Sequence, residues 1–366
     1  MSEDKYIKIG FFLGNLQGNG GIARVVSIIT NELCKEHDVH ILSFCPALEI
    51  AGYEYDQRII CTRLFDDRIS MTSAILHQHA VYKVKSYIAK NNIDVLIACG
   101  ELYFPLAIIS AFHTKTKCCC WEHSDPAGTS DHKFQMFSRK FAVKFADKII
   151  VLTKAAQMFY EGTLHCNKKK IVQIYNPVGK TVAQSKHYNS DSKKILSVGR
   201  LTYQKNFQLL VQIAAEILPK YEDWTWEICG EGEQRAQLEQ LIRDNKLEDK
   251  LILRGQVRDL YTKYQEYSFM VMTSRYEGFP MSLIEAEANR LPLISFDIPT
   301  GPSEIIVDGK NGFLIPNNDV SRMVKNIMVL MDNVMIRSTM AETAYNLSIQ
   351  FDLEQIIQKW RALCMM

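Results

Sequence analysis

The sequence predicts an α/β protein of two doubly wound, Rossmann-like domains in tandem, and three observations support this fold class. The chain has 366 residues, more than one hydrophobic core usually organises, which suits two domains. Short apolar runs alternate with longer helical patterns, and that order requires crossover connections and a parallel sheet covered on both faces. The alternation is interrupted once, near the middle of the chain.

The elements follow in order along the chain. In the first half, amphipathic helices at 22–36 and 73–90 lie among apolar runs that are predicted as buried strands: IKIGFFL, DVHILSF, DVLIAC, KCCCWEH and DKIIVLT. The polar stretch 175–194 has no apolar periodicity and is predicted as the interdomain linker. A second series of predicted strands follows: KILSVGR, TWEICGEG, KLILRGQV, SFMVMTS, LPLISFD and GFLIP. We predict domains at 1–178 and 179–347, followed by a C-terminal helical segment at 348–366.

The composition is that of a soluble globular protein, with 47% hydrophobic and 23% charged residues. Residues 1–180 hold 22 Lys+Arg and 17 Asp+Glu, a net charge of +5, which suits an anionic membrane surface or substrate as well as scattered solvated lysines. The ten cysteines show no Cys-x-x-Cys spacing, which predicts reduced, mostly buried thiols in a cytoplasmic protein and no zinc site. The N-terminus does not resemble a secretory signal. The longest apolar run, 102–112, is too short to span a bilayer, so any membrane contact would be peripheral.

A glycine-rich loop follows the first predicted strand, where ligands of open parallel sheets bind. Gly18, Gly20 and Ala23 satisfy the dinucleotide fingerprint G-x-G-x-x-G/A. An NAD-dependent oxidoreductase would also have an acidic residue after the second strand, where Cys45 and Pro46 stand instead. Two interpretations remain: glycines that let backbone amides approach an anion, or a tight turn that closes a strand-helix unit.

Two cations follow the first strand of the second half. Arg200 stands at the strand end and Lys205 stands close to a helix start. A guanidinium offers a bidentate fork and an ammonium a point charge, and together they suit a diphosphate. Taken alone, such a pair is more often two solvated surface charges. The turn glycines Gly230 and Gly232 of the next loop are predicted to be structural.

The segment SRYEGFPMSLIEAEA holds Glu277 before a turn and Glu285 inside the helix that follows. Carboxylate oxygens accept hydrogen bonds from adjacent sugar hydroxyls, so Glu285 suits a ribose and Glu277 a transferred sugar. The alternative is that Glu285 only complements the helix dipole and Glu277 is solvated. The uncapped amides at the helix start would face a phosphate or sugar, at Phe279, Met281 and Ser282.

These loops come in a fixed order, and in that order the chain resembles the retaining GT-B glycosyltransferases often called family 4. The resemblance covers essentially the whole chain and rests on these segments: GGIARV, WEHSD, SVGRLTYQKN, ICGEGEQR, LRGQVRD, SRYEGFPMSLIEAEA, PTGPSEII and DGKNGFLIP. It implies two Rossmann-like domains facing a central cleft. It also implies that the C-terminal helix, whose apolar face includes Leu353, Ile356, Ile357 and Trp360, crosses back to the N-terminal domain.

The resemblance assigns roles residue by residue. Arg200 and Lys205 would bind the donor diphosphate and stabilise the leaving group, Glu285 would hold the ribose, and Glu277 would contact the donor sugar. His123 in WEHSD matches the histidine that such enzymes place beside the donor sugar. The other donor-binding positions that it implies are Gly20, Gly21, Val257, Gly278, Phe279, Met281 and Ser282.

The implied activity is retaining transfer of a hexose or N-acetylhexosamine from a nucleotide diphosphate sugar, with UDP the expected nucleotide, to a saccharide or lipid-linked saccharide in surface polysaccharide or glycolipid synthesis. No Asp-x-Asp occurs in the sequence, so neither metal nor cofactor is expected, and no nucleic-acid partner. The protein is expected in the cytoplasm or at the inner face of the membrane. The main alternative is a nucleotide-sugar binding protein without turnover.

The segment 133–148 interleaves phenylalanines with lysines at helical spacing. A basic amphipathic helix of this kind can lie on an anionic membrane. The interpretation favoured by the sequence is that the phenylalanines are core residues against the sheet and the lysines reach outward. The residues concerned are Phe134, Phe137, Phe141, Phe145, Lys140, Lys144 and Lys148.

Overall fold

The structure is a computed structural model that describes residues 6–14, 21–44, 53–65, 74–179, 187–257 and 260–366. Its contacts divide the chain into two compact units, one formed by 1–177 with 354–366 and the other by 178–353. The predicted linker includes residues 180–186, which lie outside the described residues. None of the described helices is both long enough and apolar enough to cross a membrane.

The first unit is built on a parallel sheet. Its strands are β1 (Lys8–Leu13), β2 (Asp38–Ser43), β3 (Ile60–Arg63), β4 (Val95–Cys99), β5 (Lys117–Trp121), β6 (Lys148–Val151) and β7 (Ile171–Gln173). Its helices are α1 (Gly21–Leu33), α2 (Ala74–Asn91), α3 (Phe104–Ala111), α4 (Lys133–Phe145) and α5 (Lys154–Gly162). The strand order is β3-β2-β1-β4-β5-β6-β7, with every neighbouring pair parallel.

The second unit repeats this architecture. Its strands are β8 (Lys194–Val198), β9 (Thr225–Cys229), β10 (Leu251–Gly255), β11 (Phe269–Met272), β12 (Leu293–Asp297) and β13 (Gly312–Pro316). Its helices are α6 (Phe207–Ile217), α7 (Arg235–Asp244), α8 (Met281–Ala288), α9 (Val320–Asp332) and α10 (Val334–Ser348). The parallel strands follow the order β10-β9-β8-β11-β12-β13, so the order reverses between β8 and β11, which is where a doubly wound sheet binds its ligand.

The two parallel sheets confirm the predicted fold class of paired Rossmann-like domains. The sequence analysis found the central strands because each is a continuous apolar run buried on both faces. It missed β3 and β7, which lie at the two edges of the first sheet. No residue of β3 is fully buried, and β7 has only Ile171 buried. A half-exposed edge strand lacks the apolar run that reveals a central one.

The last helix, α11 (Leu353–Cys364), completes the core of the first unit. Its apolar face is buried as predicted, and the Trp360 indole lies 4.5 Å from the ring of Trp121 and 6.1 Å from that of Phe11, measured between centroids. Arg361 anchors the helix from outside through two 2.8 Å hydrogen bonds to the Glu36 carboxylate. The chain therefore crosses back to its N-terminal unit, as the resemblance implies.

Candidate functional site

The candidate site of the second unit lies where the strand order reverses. After β8 the chain makes a short 3-10 turn at Tyr203–Lys205 and enters α6 through Asn206, whose left-handed backbone has a φ of 55°. After the neighbouring strand β11, the loop 273–280 leads into α8. Because parallel strands present their carboxyl ends at one edge of the sheet, both loops meet there.

Lys205 and Glu277 form an ion pair at this edge. The Lys205 Nζ lies 2.5 Å from the Glu277 Oε1, and the two side chains are only 15% and 8% exposed. Gln204 supports the pair from its Nε2, which donates to the Tyr276 carbonyl at 2.9 Å and lies 3.5 Å from the Glu277 Oε2. A Cβ on Gly199 would lie 2.8 Å from the Lys205 Cε, so this glycine leaves the space that the lysine stem occupies. The structure thus joins two residues to which the sequence gave separate roles.

Arg275 ties the two loops together. Its Nη2 donates to the Asn206 Oδ1 at 2.6 Å, its Nε donates to the Tyr203 carbonyl at 3.2 Å, and its guanidinium carbon lies 4.3 Å from the centroid of the Tyr203 ring. The Arg275 amide also donates to the Gln204 carbonyl at 2.8 Å. Sequence reasoning missed Arg275, because an arginine beside a predicted turn carries no sign of a partner far away in the sequence. These bonds fix the backbone on which Lys205 and Glu277 stand.

The start of α8 lies beside Glu277. Pro280 precedes the helix, and among the described residues no side chain caps it, so the first helical amides, at Met281 and Ser282, are left without a side-chain acceptor, which is the general condition for anion binding at a helix start. The Thr300 hydroxyl donates to the Glu277 carbonyl. Gly301 has a φ of +100°, and a Cβ there would lie 2.6 Å from the Pro280 Cδ.

The neighbours of the Glu277 turn differ in what they contribute. Gly278 is half-buried. The Phe279 side chain is buried and packs edge-on against Phe351, with centroids 5.5 Å apart. The Phe279 side chain therefore stabilises the core of the unit. Any contact between this position and a nucleotide-sugar donor would come from its backbone.

Glu285 lies one turn into α8 and is almost completely buried. The hydroxyl of the buried Tyr264 donates to the Glu285 Oε2 at 3.0 Å. This bond fixes the direction of the carboxylate. Sequence reasoning missed Tyr264, because it begins a single 3-10 turn, Tyr264–Glu266, that carries no motif of its own.

Arg200 and Val257 stand at the ends of β8 and β10. The Arg200 side chain is exposed and makes no side-chain hydrogen bond or ion pair within the described part of the chain, so its cation is accessible to an anionic ligand. Val257 is half-buried, and the next two residues lie outside the described residues. A Cβ on Gly230 would lie 1.8 Å from the Gly199 carbonyl oxygen. This close approach of two loops leaves no room for a side chain at position 230 and agrees with the structural role predicted for Gly230.

His123 follows β5 in the first unit and packs against Trp121, with ring centroids 4.2 Å apart and the ring planes tilted by 45°. Burial lowers the pKa of His123 to about 3, so the imidazole is neutral at physiological pH. Its buried Nε2 has no hydrogen-bond partner among the described residues. Of the predicted glycines in this unit, Gly21 is the exposed first residue of α1, and Gly20 lies outside the described residues.

A buried polar network holds the loop that carries His123. The Arg139 Nε donates to the Glu122 Oε2 at 2.7 Å, and the Tyr160 hydroxyl donates to the same oxygen at 2.8 Å. The Ser124 hydroxyl donates to the other oxygen of Glu122 at 2.7 Å. Although burial raises the pKa of Glu122, the charge and hydrogen bonds of Arg139 hold it below the ordinary value. Sequence reasoning missed this network, because Arg139 stands among the phenylalanines of α4 and resembles one more exposed cation there.

The described residues contain no cluster of three or more histidine, cysteine or carboxylate groups that could hold a metal ion. The expectation of metal independence stays a prediction.

Two family models match the chain in succession. The model described as Glycosyltransferase Family 4 matches residues 19–180, and the model described as Glycosyl transferases group 1 matches residues 180–347. Together they cover the sequence from 19 to 347.

Relatives and solved structures agree with these models. An uncharacterized glycosyltransferase of Haemophilus influenzae is 27% identical over 97% of this chain and 99% of its own length. The GalNAc-alpha-(1->4)-GalNAc-alpha-(1->3)-diNAcBac-PP-undecaprenol alpha-1,4-N-acetyl-D-galactosaminyltransferase of Campylobacter jejuni is 24% identical over 98% of each chain. The crystal structure of TarM from S. aureus, in complex with fondaparinux, alpha-GlcNAc-glycerol and UDP, superimposes with a TM-score of 0.83 at 18% identity and covers 98% of this chain and 100% of that one. At that identity the structural likeness shows the fold alone.

Proposed function

Because the chain belongs to the group 1 or family 4 glycosyltransferases, which have the GT-B fold, we propose that it moves a hexose or N-acetylhexosamine from a UDP-sugar. The acceptor would be a saccharide or a lipid-linked saccharide, and the configuration at the anomeric carbon would be retained. The observation that carries the donor half of this proposal is the Lys205–Glu277 pair at the point where the strand order reverses, beside the uncapped start of α8. Membership of a glycosyltransferase family argues against the alternative activity, that of an NAD-dependent oxidoreductase.

We propose that the diphosphate of the donor binds between Arg200, Lys205 and the first amides of α8. An ammonium has three donors, and the Lys205 Nζ uses one of them on Glu277, which leaves two for phosphate oxygens. The same lysine would then link the leaving group to the carboxylate that contacts the sugar. When the bond from the anomeric carbon to the diphosphate oxygen breaks, its electron pair goes to the diphosphate, where these positive groups stabilise it.

Retention is proposed to follow a front-face route. The acceptor oxygen would bond to the anomeric carbon on the side that the diphosphate leaves, and the acceptor proton would pass to a phosphate oxygen. Among the described residues we identify no carboxylate placed as a nucleophile, and a trapped glycosyl-enzyme adduct would disprove this route. The role of His123 beside the donor sugar is proposed from the resemblance. Because its imidazole is neutral, His123 would act through a hydrogen bond and would not act as a cation.

The acceptor proposal is supported by the relatives. The Campylobacter jejuni enzyme is named for an undecaprenol-linked saccharide, which favours a lipid-linked acceptor here. With this acceptor we propose that the protein works in the cytoplasm, at the inner face of the membrane. The competing proposal of a binding protein without turnover predicts tight nucleotide binding and no product.

The first test measures donor use. The purified protein is incubated with a panel of nucleotide sugars, with and without EDTA, and free nucleotide release and UDP affinity are measured. We expect selective UDP release that survives EDTA. In Arg200→Ala, we expect the Kd for UDP to rise about 10- to 100-fold, as for the loss of a hydrogen-bonded charge. Arg243→Ala, which removes an exposed arginine of α7, is the matched control. Absence of any UDP binding by the wild-type protein would disprove the donor proposal.

A second test addresses the ribose. Tyr264→Phe removes the hydrogen bond that orients the Glu285 carboxylate, so we expect the preference for UDP over 2′,3′-dideoxy-UDP to fall by about five- to tenfold, the value of one hydrogen bond. The two dissociation constants are measured by calorimetry. Tyr267→Phe is the matched control, because it removes a similar bond from a buried tyrosine to Glu227, 2.8 Å long, in the same unit. An unchanged ratio in Tyr264→Phe would show that Glu285 does not hold the ribose through this orientation.

A further inference from the structure

The outer face of α4 carries phenylalanines that the fold leaves in solvent. Phe134 is 48% exposed, Phe137 54% and Phe145 40%. The sequence-based interpretation of the α4 phenylalanines as core residues is therefore wrong for these three. It holds for Phe141, which packs against the core of the first unit. The reason is that α4 turns its small and polar residues inward, with Ser138, Arg139 and Ala142 buried.

The exposed rings form one continuous surface. The centroid distances are 6.4 Å for Phe134–Phe137, 5.9 Å for Phe137–Phe141 and 4.6 Å for Phe141–Phe145. Phe112, at the end of α3, extends the row at 5.6 Å from Phe145 and is itself 38% exposed. We call this row the phenylalanine ridge. A contiguous apolar surface of this kind on a folded protein marks a site of interaction.

The surroundings of the ridge are strongly basic. The segments 102–117 and 133–145 contain no aspartate or glutamate. The Lys144 Nζ lies 5.0 Å from the centroid of the Phe145 ring. Arg139 is the one cation of α4 that is buried, and it is neutralised by Glu122. Lys117 pairs with Asp147, with 3.2 Å between the Lys117 Nζ and the Asp147 Oδ1. The other exposed lysines of these segments form no ion pair with a described acidic residue, and they are Lys115, Lys133, Lys140 and Lys144.

We propose that the phenylalanine ridge and these lysines dock the protein on an anionic lipid surface. Aromatic side chains favour the interface between headgroups and acyl chains, and lysines on the same helix are attracted by anionic headgroups. Charge decides between the occupants: a second copy that met the ridge face to face would set lysines against lysines, whereas anionic lipid neutralises them. The proposal does not depend on the donor site, because all of its residues belong to the first unit.

Vesicle co-sedimentation tests the proposal. The full chain is mixed with vesicles of phosphatidylglycerol and phosphatidylcholine, or of phosphatidylcholine alone, at low and high salt. We expect binding to the anionic vesicles that weakens with salt. The double variant Lys140→Glu with Lys144→Glu should bind at least about 25-fold more weakly, from about fivefold for each lysine charge near an anionic surface. The double variant Phe134→Ser with Phe137→Ser should lose binding at the same salt concentration.

The control is a double variant of two exposed apolar residues in the second unit, Met335→Ser with Ile349→Ser, which are 72% and 53% exposed and should leave vesicle binding unchanged. All substituted side chains are exposed, and circular dichroism checks that each variant is folded. Wild-type protein that ignores anionic vesicles, or ridge variants that bind as the control does, would overturn the proposal. So would a dimer in sedimentation velocity that the ridge variants abolish. UDP release from soluble donor should be the same in all variants, which separates a failure here from a failure of the donor proposal.

Discussion

Replacing Lys205 by alanine is expected to lower kcat/KM for sugar transfer by about 100- to 1,000-fold. The ammonium would stabilise negative charge that develops on the departing diphosphate, and the loss of one such group costs that much in other enzymes. The structure adds a second effect, because Lys205 is the cation 2.5 Å from the Glu277 carboxylate. Its removal leaves that carboxylate, 8% exposed, without its partner.

Stability measurements separate these two effects. Removing one partner of a buried pair costs about 3 kcal/mol, so Lys205→Ala is also expected to unfold at lower urea concentration. The paired variant Lys205→Met with Glu277→Gln removes both charges together and should recover most of the stability. It should remain inactive, since neither the phosphate contact nor the sugar contact returns.

The measurement is the initial rate of UDP formation with saturating acceptor, beside urea unfolding of each variant. Lys193→Ala is the control, because the Lys193 Nζ lies 3.5 Å from Asp223 in a solvent-exposed pair of the same unit. A paired variant that transferred sugar at the wild-type rate would show that the ion pair only supports the loop. The diphosphate role of Lys205 would then be wrong.

The largest expected loss of stability follows from Arg139→Ala, about 3–5 kcal/mol in the free energy of unfolding. Arg139 and Glu122 are both fully buried, with side chains 0% and 1% exposed and a 2.7 Å bond between them. Without the guanidinium, Glu122 would keep the hydroxyls of Ser124 and Tyr160 but would lose the only cationic partner that it has among the described residues. The carboxylate must then become protonated or remain a buried charge, and both cost free energy.

Urea unfolding, followed by tryptophan fluorescence, checks this prediction. The slopes of unfolding free energy against urea concentration are compared between variants, because two units need not unfold in one step. Arg361→Ala is the control in the same unit. Its pair with Glu36 is partly solvated, with side chains 29% and 48% exposed, and such pairs contribute about 0–1 kcal/mol. Equal losses in the two variants would contradict the argument that burial makes the Glu122 pair important.

The pH dependence has a definite sign. The folded-state pKa of Glu122 lies below the ordinary carboxyl value because of Arg139, so the unfolded chain binds the proton more readily. The contribution of the pair is complete above the ordinary value and is lost as the pH falls through the folded-state pKa. The stability difference between wild type and Arg139→Ala should therefore shrink in acid.

Most of the fold could be predicted from the sequence, because central strands such as β4 and β11 are short runs buried on both faces. The edge strands could not, since their side chains are partly solvated. For α4, helical spacing placed four phenylalanines on one stripe, but spacing alone cannot tell which side of a helix faces the sheet. Packing decided this, by placing Ser138, Arg139 and Ala142 inward.

The sequence by itself indicated the class of the protein and the residues proposed for the donor half, since Arg200, Lys205, Glu277 and Glu285 stand in local segments whose order along the chain is characteristic. Only the tertiary structure decided how side chains pair. Lys205 and Glu277 are separated by 72 positions, and Tyr264 reaches Glu285 across 21. Such contacts depend on which loops the parallel sheet brings to one edge and on how much water the fold removes, and neither is written in any short stretch of residues.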